Sequence, residues 1–266
     1  MTRTASHPRT TSGLRAAGPA LAPVGAALLL AACGSASPAQ GNGVASKSPT
    51  QIVAAAQTAL RSADGFVAAG TLSQDGHVAR LHIVSGGTSK LEVQVSGRGR
   101  SEDIVAVAGA SYVRANLAFW TAQVGPRAAS LANRWIELPA SESQQLTSSF
   151  GLFAPSTMAR CIGENLGTLS RGGHTTVAGK PAVVVHQAGN APGSNPGTLA
   201  VATNGPAYPL RITSTGPSRP GGKVDVCNNG KGGETEGSLT LSDFNHAPAI
   251  TAPSNPVKVG GSGGST

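Results

Sequence analysis

Three cysteines and six histidines are the side chains of this 266-residue sequence best suited to nucleophilic or metal chemistry. Their spacing argues against both. Neither Cys161 nor Cys227 belongs to a close Cys or His pair, which structural zinc sites need. His77 and His82 are five residues apart, so on one strand they face opposite sides and share no metal. His174 and His186 fall in different predicted strands with no matched acid or nucleophile nearby, as satisfied surface histidines would. Gly260-Gly261-Ser262-Gly263-Gly264 formally fits G-x-S-x-G, but it lies in a patternless Gly/Ser tail rather than at a strand-to-helix elbow. No phosphate loop, dinucleotide fingerprint or calcium loop occurs. The expectation is a protein without catalytic residues, metal or cofactor.

The remaining cysteine, Cys33, has a different setting. Arg3, Arg9 and Arg15 precede an apolar stretch from Ala20 to Leu30, as in a secretory leader. Leu30-Ala31-Ala32-Cys33 then resembles the bacterial lipobox, in which small residues fit a narrow peptidase site and the thiol receives a diacylglyceryl group. The other possibility, an uncleaved membrane helix, needs a longer apolar run to cross about 30 Å of hydrocarbon, and Pro19, Pro23 and Gly25 weaken this one. The expectation is a signal peptide over 1–32 and lipid attachment (diacylglyceryl, with palmitate-type chains) at Cys33. Residues 33–47 would be a Gly/Ser/Ala/Pro tether, and the protein would be anchored to the outer face of the cell membrane. Export to an oxidising compartment makes a Cys161–Cys227 disulfide the default for the other two cysteines, stabilising by about 4 kcal/mol in the chain-entropy model.

Composition narrows the partners. The formal charge is +8; without the three leader arginines, 17 basic residues face 12 acidic ones, or +5. That surface is mildly basic, suited to anionic headgroups and too diffuse for nucleic acid. Arg98 and Arg100 are neighbours of Glu102 and Asp103, which reads as a solvated loop. Aromatics make up only 3% of the chain, so the core must come from aliphatic residues and alanine.

The elements that would carry such a core are legible. Ser48-Pro49-Thr50-Gln51 is a capping box with proline at the first helical position. Ile52, Val53, Ala56, Ala59, Leu60 and Ala63 then form one apolar helix face, ended by Gly65. Period-two alternation marks His77–Val84, Lys90–Ser96 and Tyr208–Thr213, with shorter traces at Val224/Val226 and Leu239/Leu241; half-buried strands of this kind favour an antiparallel sheet. Turn signals lie between the runs, among them Gly109-Ala110 and Gly179-Lys180. Asn116–Gln123, Pro126–Ala132, Ser141–Phe150 and Pro155–Asn165 read as short helices, with Ser141 and Gln144 as a second capping box and Trp135–Leu138 as a short strand. The order helix, strands, helices, strands is α+β. Beyond Ala247 no pattern survives, so a domain over 48–247 and a disordered tail over 248–266 are expected.

Several short motifs recur in a shared order: Ile52-Val53-x3-Gln57-x2-Leu60, Ser111-Tyr112-Val113-Arg114 with Phe119-Trp120, Trp135-Ile136-x-Leu138-Pro139, Tyr208-Pro209-Leu210-Arg211 and Leu241-Ser242-Asp243-Phe244. After a lipobox and tether, this pattern resembles the LppX/LprG group of actinobacterial lipoproteins, whose fold is similar to that of the lipoprotein carrier LolA. The resemblance implies a strongly curved antiparallel sheet, a half-barrel, with helices covering its concave face and space between them for acyl chains. It also implies binding or transfer of envelope lipids or lipoglycans. Inward positions Ala79, Leu81, Ile83, Leu91, Val93, Val95, Val183, Val185, Leu210 and Ile212 are the expected cavity lining, although the same residues would equally form a dry core. The alternative function is a non-catalytic accessory lipoprotein that docks on an envelope protein without a cavity.

Overall fold

A computed structural model describes residues 41–74, 76–227 and 235–258. Cys33, the leader and the Gly260–Gly264 motif lie outside the described residues. The described residues all fall within one compact unit.

The first described residues, at the end of the expected tether, lie against the sheet. The Asn42 side chain donates to the carbonyls of Ala202 and Gly205, its backbone N–H donates to Thr203, and Val44 is fully buried. Helix α1 (Pro49–Arg61) starts as the sequence predicts: Ser48 accepts from the Gln51 N–H, and the Gln51 side chain accepts from the Ser48 N–H. Its buried face is Ile52, Val53, Ala56, Ala59 and Leu60.

Five strands follow: β1 (Phe66–Gln74), β2 (His77–Ser85), β3 (Leu91–Gly97), β4 (Arg100–Val107) and β5 (Ala110–Ala115). Next come α2 (Leu117–Val124), α3 (Ala128–Leu131), β6 (Ile136–Glu137), α4 (Ala140–Phe150) and α5 (Pro155–Cys161), then β7 (Leu169–Val177), β8 (Lys180–Ala188), β9 (Pro196–Ala202), β10 (Pro209–Thr215), β11 (Thr235–Ser242) and β12 (Val257–Lys258). They form one open sheet in the order β12-β6-β5-β4-β3-β2-β1-β11-β10-β9-β8-β7, antiparallel throughout except for β12 against β6. This is the α+β half-barrel, with α1 and α5 over its concave face.

Register explains the core. Leu241, Ala68, Ile83, Val93, Ile104, Val113 and Ile136 are successive cross-strand partners, one apolar row running through seven strands. Leu60, Phe153, Met158 and Ala159 pack on the same cluster from the helical side. A second cluster joins Val44, Ile52, Val53 and Ala56 to Val183, Val185 and Val201.

Four features differ from expectation. Residues 247–258 are not patternless: Ile250 is buried with Val67, Val84, Val105 and Tyr112 on the convex face, and β12 pairs with β6. That cover explains why Ile104, Val105 and Ala106 are all buried despite alternating faces. The Ser141 capping box does not form, because α4 begins one residue earlier and Pro139 holds the capping position without a side-chain bond. Val224–Val226 is not a strand: Asp225 makes a single bridge and Val226 opens a turn. The hairpin turns sit one residue earlier than expected, on Ala108-Gly109 and Ala178-Gly179, with both residues of each pair at positive φ. Such two-residue turns match the right-handed twist of the strands.

Candidate functional site

One end of the sheet is defined by the close of β1, the start of β2, the close of β5 and β10, and the starts of β7, β9 and β11. The ladder pairs Gln74 with His77, Thr215 with Glu236, Ser214 with Gly197, and Gln187 with Leu169. At this end a groove of about 330 Å3 opens between strands β7–β11 and the helices. The opposite end holds the turn around residues 203–205, to which Asn42 is bonded.

The groove floor is aliphatic. Val185, Leu199, Ile212 and Leu239 rise from the sheet, while Val53 and Met158 descend from α1 and α5, and Leu152, Phe153, Ile162, Leu166 and Leu169 close its sides. These side chains face the space because period-two alternation points each of them toward the concave face. Thr198, Thr213, Gln187, Asn165 and Ser194 provide a polar margin. Apolar walls with a few polar groups at the mouth are the usual make-up of a small-ligand site. A larger depression along α1 is lined by Lys47, Gln51, Thr58 and alanines, and is a solvent-facing helix surface rather than an enclosed space.

The disulfide between Cys161 and Cys227 lines the groove. It ties the last turn of α5 to the segment that follows β10. Beside it, Asp225 lies 3.4 Å from Arg160 and 3.5 Å from Lys223. The backbone N–H of Cys227 donates to Asp225 at 2.8 Å and holds its carboxyl below the usual range; partial burial opposes this, and the two cations assist it. Glu164, Asp225 and Cys227 each bring one potential ligand atom within 4.8 Å of the others. The sulfur is committed to the disulfide and Asp225 to its cations, so this rim is an ion-pair cluster that fastens the loop.

Of the residues predicted to line a cavity, Val185 and Ile212 border the groove. Ile83, Val93 and Val183 are fully buried in the core clusters, and Leu81 packs against the first of them. Leu210 is buried and borders a separate depression beside Tyr208 and Phe244. Ala79 and Val95 border a shallow one with Phe119, and Leu91 another with Phe150. Helical residues Leu60, Phe153, Met158 and Ala159 pack on the apolar row through β1–β5, whereas the groove itself lies over β7–β11. Leu239 lies in a predicted strand trace and was within reach of the same alternation; Leu199 in β9, Leu166, Leu169 and the helical lining were not identified, and tertiary packing sets the approach of the last three. His77 contacts Arg98, whereas His174 and His186 are exposed on separate strands.

The class of architecture is therefore an open, curved antiparallel sheet with a helix-roofed apolar groove. No family model matches the sequence, and no curated protein matches it. Among solved structures, the chain is similar to the lipoprotein LppX of Mycobacterium tuberculosis (11% identity, 76% of this chain and 98% of that one, TM-score 0.46). It is also similar to LprF of Mycobacterium bovis (11%, 77% and 96%, TM-score 0.47) and to a LolA superfamily protein of Nitrosomonas europaea (15%, 76% and 95%, TM-score 0.26). Among the described residues, no helix is long and apolar enough to cross a membrane.

Proposed function

We propose that this protein is a non-catalytic lipoprotein that binds or transfers acylated lipids or glycolipids of the cell envelope, taking one acyl chain into the groove. The observation that carries this is the groove itself: apolar from its aliphatic floor to its helical roof, open at one end, with a few polar side chains among its lining. About 330 Å3 is at the lower end of the roughly 300–1,000 Å3 typical of small-ligand sites, which suits a single chain and leaves a headgroup outside. Its existence favours this role over a docking module that has no cavity. Cys33 would supply a covalent anchor on the outer face of the cytoplasmic membrane, since two or three acyl chains hold a protein there stably.

Native mass spectrometry of the 39–266 unit, with lipid extraction alongside, tests the proposal. Ile212→Trp and Leu199→Trp fill the groove, whereas tryptophan at Leu81 or Val93 would overpack the core instead. Losing room for about three methylenes at ~0.8 kcal/mol each weakens chain binding roughly 50-fold. Lipid-free protein that takes up neither offered phospholipid nor glycolipid would refute the proposal.

A further inference from the structure

The large hydrophobic residues that this fold leaves exposed are all at one end. They are Val78, Leu117, Val124, Val224 and Val226 among the described residues. Val78 is the second residue of β2, Leu117 and Val124 bracket α2 where the chain leaves β5, and Val224 and Val226 follow β10. The ladders place these strand ends together with the mouth of the groove, opposite the turn that holds Asn42.

Helix α2 makes the concentration unusual. Its sequence is LAFWTAQV; Trp120 packs against the core and Phe119 is half-buried, but no residue of it is fully buried and Leu117 and Val124 are exposed. Helices apolar on all sides are normally covered. Asn116 caps it by accepting from the Phe119 N–H, and donates its side-chain amide to Gly99 at 2.7 Å, so α2 is fixed beside the β3–β4 turn. That turn carries Arg98 and Arg100, and Arg127 follows the helix; all three are exposed, and none forms an ion pair with a carboxylate of the described residues. Glu102 borders the same depression as Arg98, Arg100 and Phe119 and offsets one of these charges.

We infer that this end of the molecule is a membrane-docking surface, in which α2 seats on a bilayer containing anionic lipid. Exposed aliphatic side chains with long basic side chains around them are the composition of an interfacial helix: the former enter the acyl boundary while the guanidinium groups meet phosphates. A protein partner would be matched by a compact central anchor pocket, whereas here the apolar residues are spread over three chain segments at the groove's end of the sheet. Docking in this pose brings the open end of the groove to the bilayer surface, so a chain would pass between lipid and groove without crossing water. The docking does not depend on the groove holding a chain, and its test is separate from the one above.

The test is flotation of the 39–266 unit, which lacks any acyl anchor, with vesicles of phosphatidylcholine alone or mixed with phosphatidylglycerol. Binding is expected to the mixed vesicles and to weaken with salt. Leu117→Ser with Val124→Ser should lower partitioning at least about tenfold. Arg98→Gln with Arg100→Gln should lower it and flatten the salt dependence. Both pairs of positions are surface-exposed, so unchanged thermal unfolding serves as the folding control. Absence of wild-type binding, or variants that bind as the wild type does, overturns the inference. Lipid-independent dimerisation abolished by Leu117→Ser with Val124→Ser also overturns it, in favour of a second copy as the occupant.

Discussion

Replacing Cys161 and Cys227 together by serine removes the cross-link that closes the groove rim. The two cysteines are 66 residues apart in sequence, and β7, β8, β9 and β10 all lie between them. In the chain-entropy model a loop of that length restricts the unfolded state by about 4 kcal/mol. The ion pairs around Asp225 survive the substitution, but partly exposed pairs contribute little and do not substitute for the bond. For a domain of this size each kcal/mol moves the unfolding midpoint by about 2–4 °C, so the double serine variant should melt about 8–16 °C lower. Circular dichroism scans of the variant and of reduced wild type should agree. The urea slope should rise, because the uncrosslinked chain exposes more surface on unfolding. A loss below about 1 kcal/mol would refute the reasoning, since it would mean that the unfolded ensemble is already constrained by other contacts.

Two further outcomes follow from local features. Ala178 is exposed with φ 47° at the first position of the β7–β8 turn, where asparagine is better accommodated; Ala178→Asn should stabilise by about 0.5–1 kcal/mol in urea titrations. The Glu102 carboxyl is pushed up by burial and then by neighbouring Asp103. Its folded-state pKa lies above the unfolded value, so its favourable contribution is present at low pH and is lost as pH rises through the folded pKa. Glu102→Gln should therefore stabilise the protein at neutral pH, and the gain should shrink below the ordinary carboxylate range when unfolding is followed against pH.

How much of this was legible in the sequence depended on whether the deciding contact was local. The α1 capping box, its apolar face and the alternation of β2 and β3 each involve residues a few positions apart, and local chemistry specifies them. The disulfide was legible for another reason, because the export expected from the leader would leave two lone cysteines one default fate. The convex-face cover was not legible. Ile250 is a single apolar residue in a Pro/Ala/Ser stretch, and its burial depends on a surface assembled from Val67, Val84, Val105 and Tyr112 on four strands. The cavity posed the same problem: alternation assigns Ile83, Val93, Val185 and Ile212 to one face without saying where a helix will fill the space above it. Phe153 and Met158 pack on the core cluster and also border the groove, so tertiary packing decides where open space remains.

The asymmetry has a consequence for how the molecule works. The half-barrel over β1–β5 is packed on both faces, inside by Leu60, Phe153, Met158 and Ala159 and outside by Ile250 with Ala247, so it gives the fold its stable frame. The half over β7–β11 has its helical roof tied across the groove mouth by the disulfide and the Arg160–Asp225–Lys223 cluster. The stability of the frame and the capacity of the groove should accordingly respond to different substitutions: Ile83→Val and Val93→Ala lower the unfolding midpoint, whereas Ile212→Trp changes occupancy with a much smaller effect on melting.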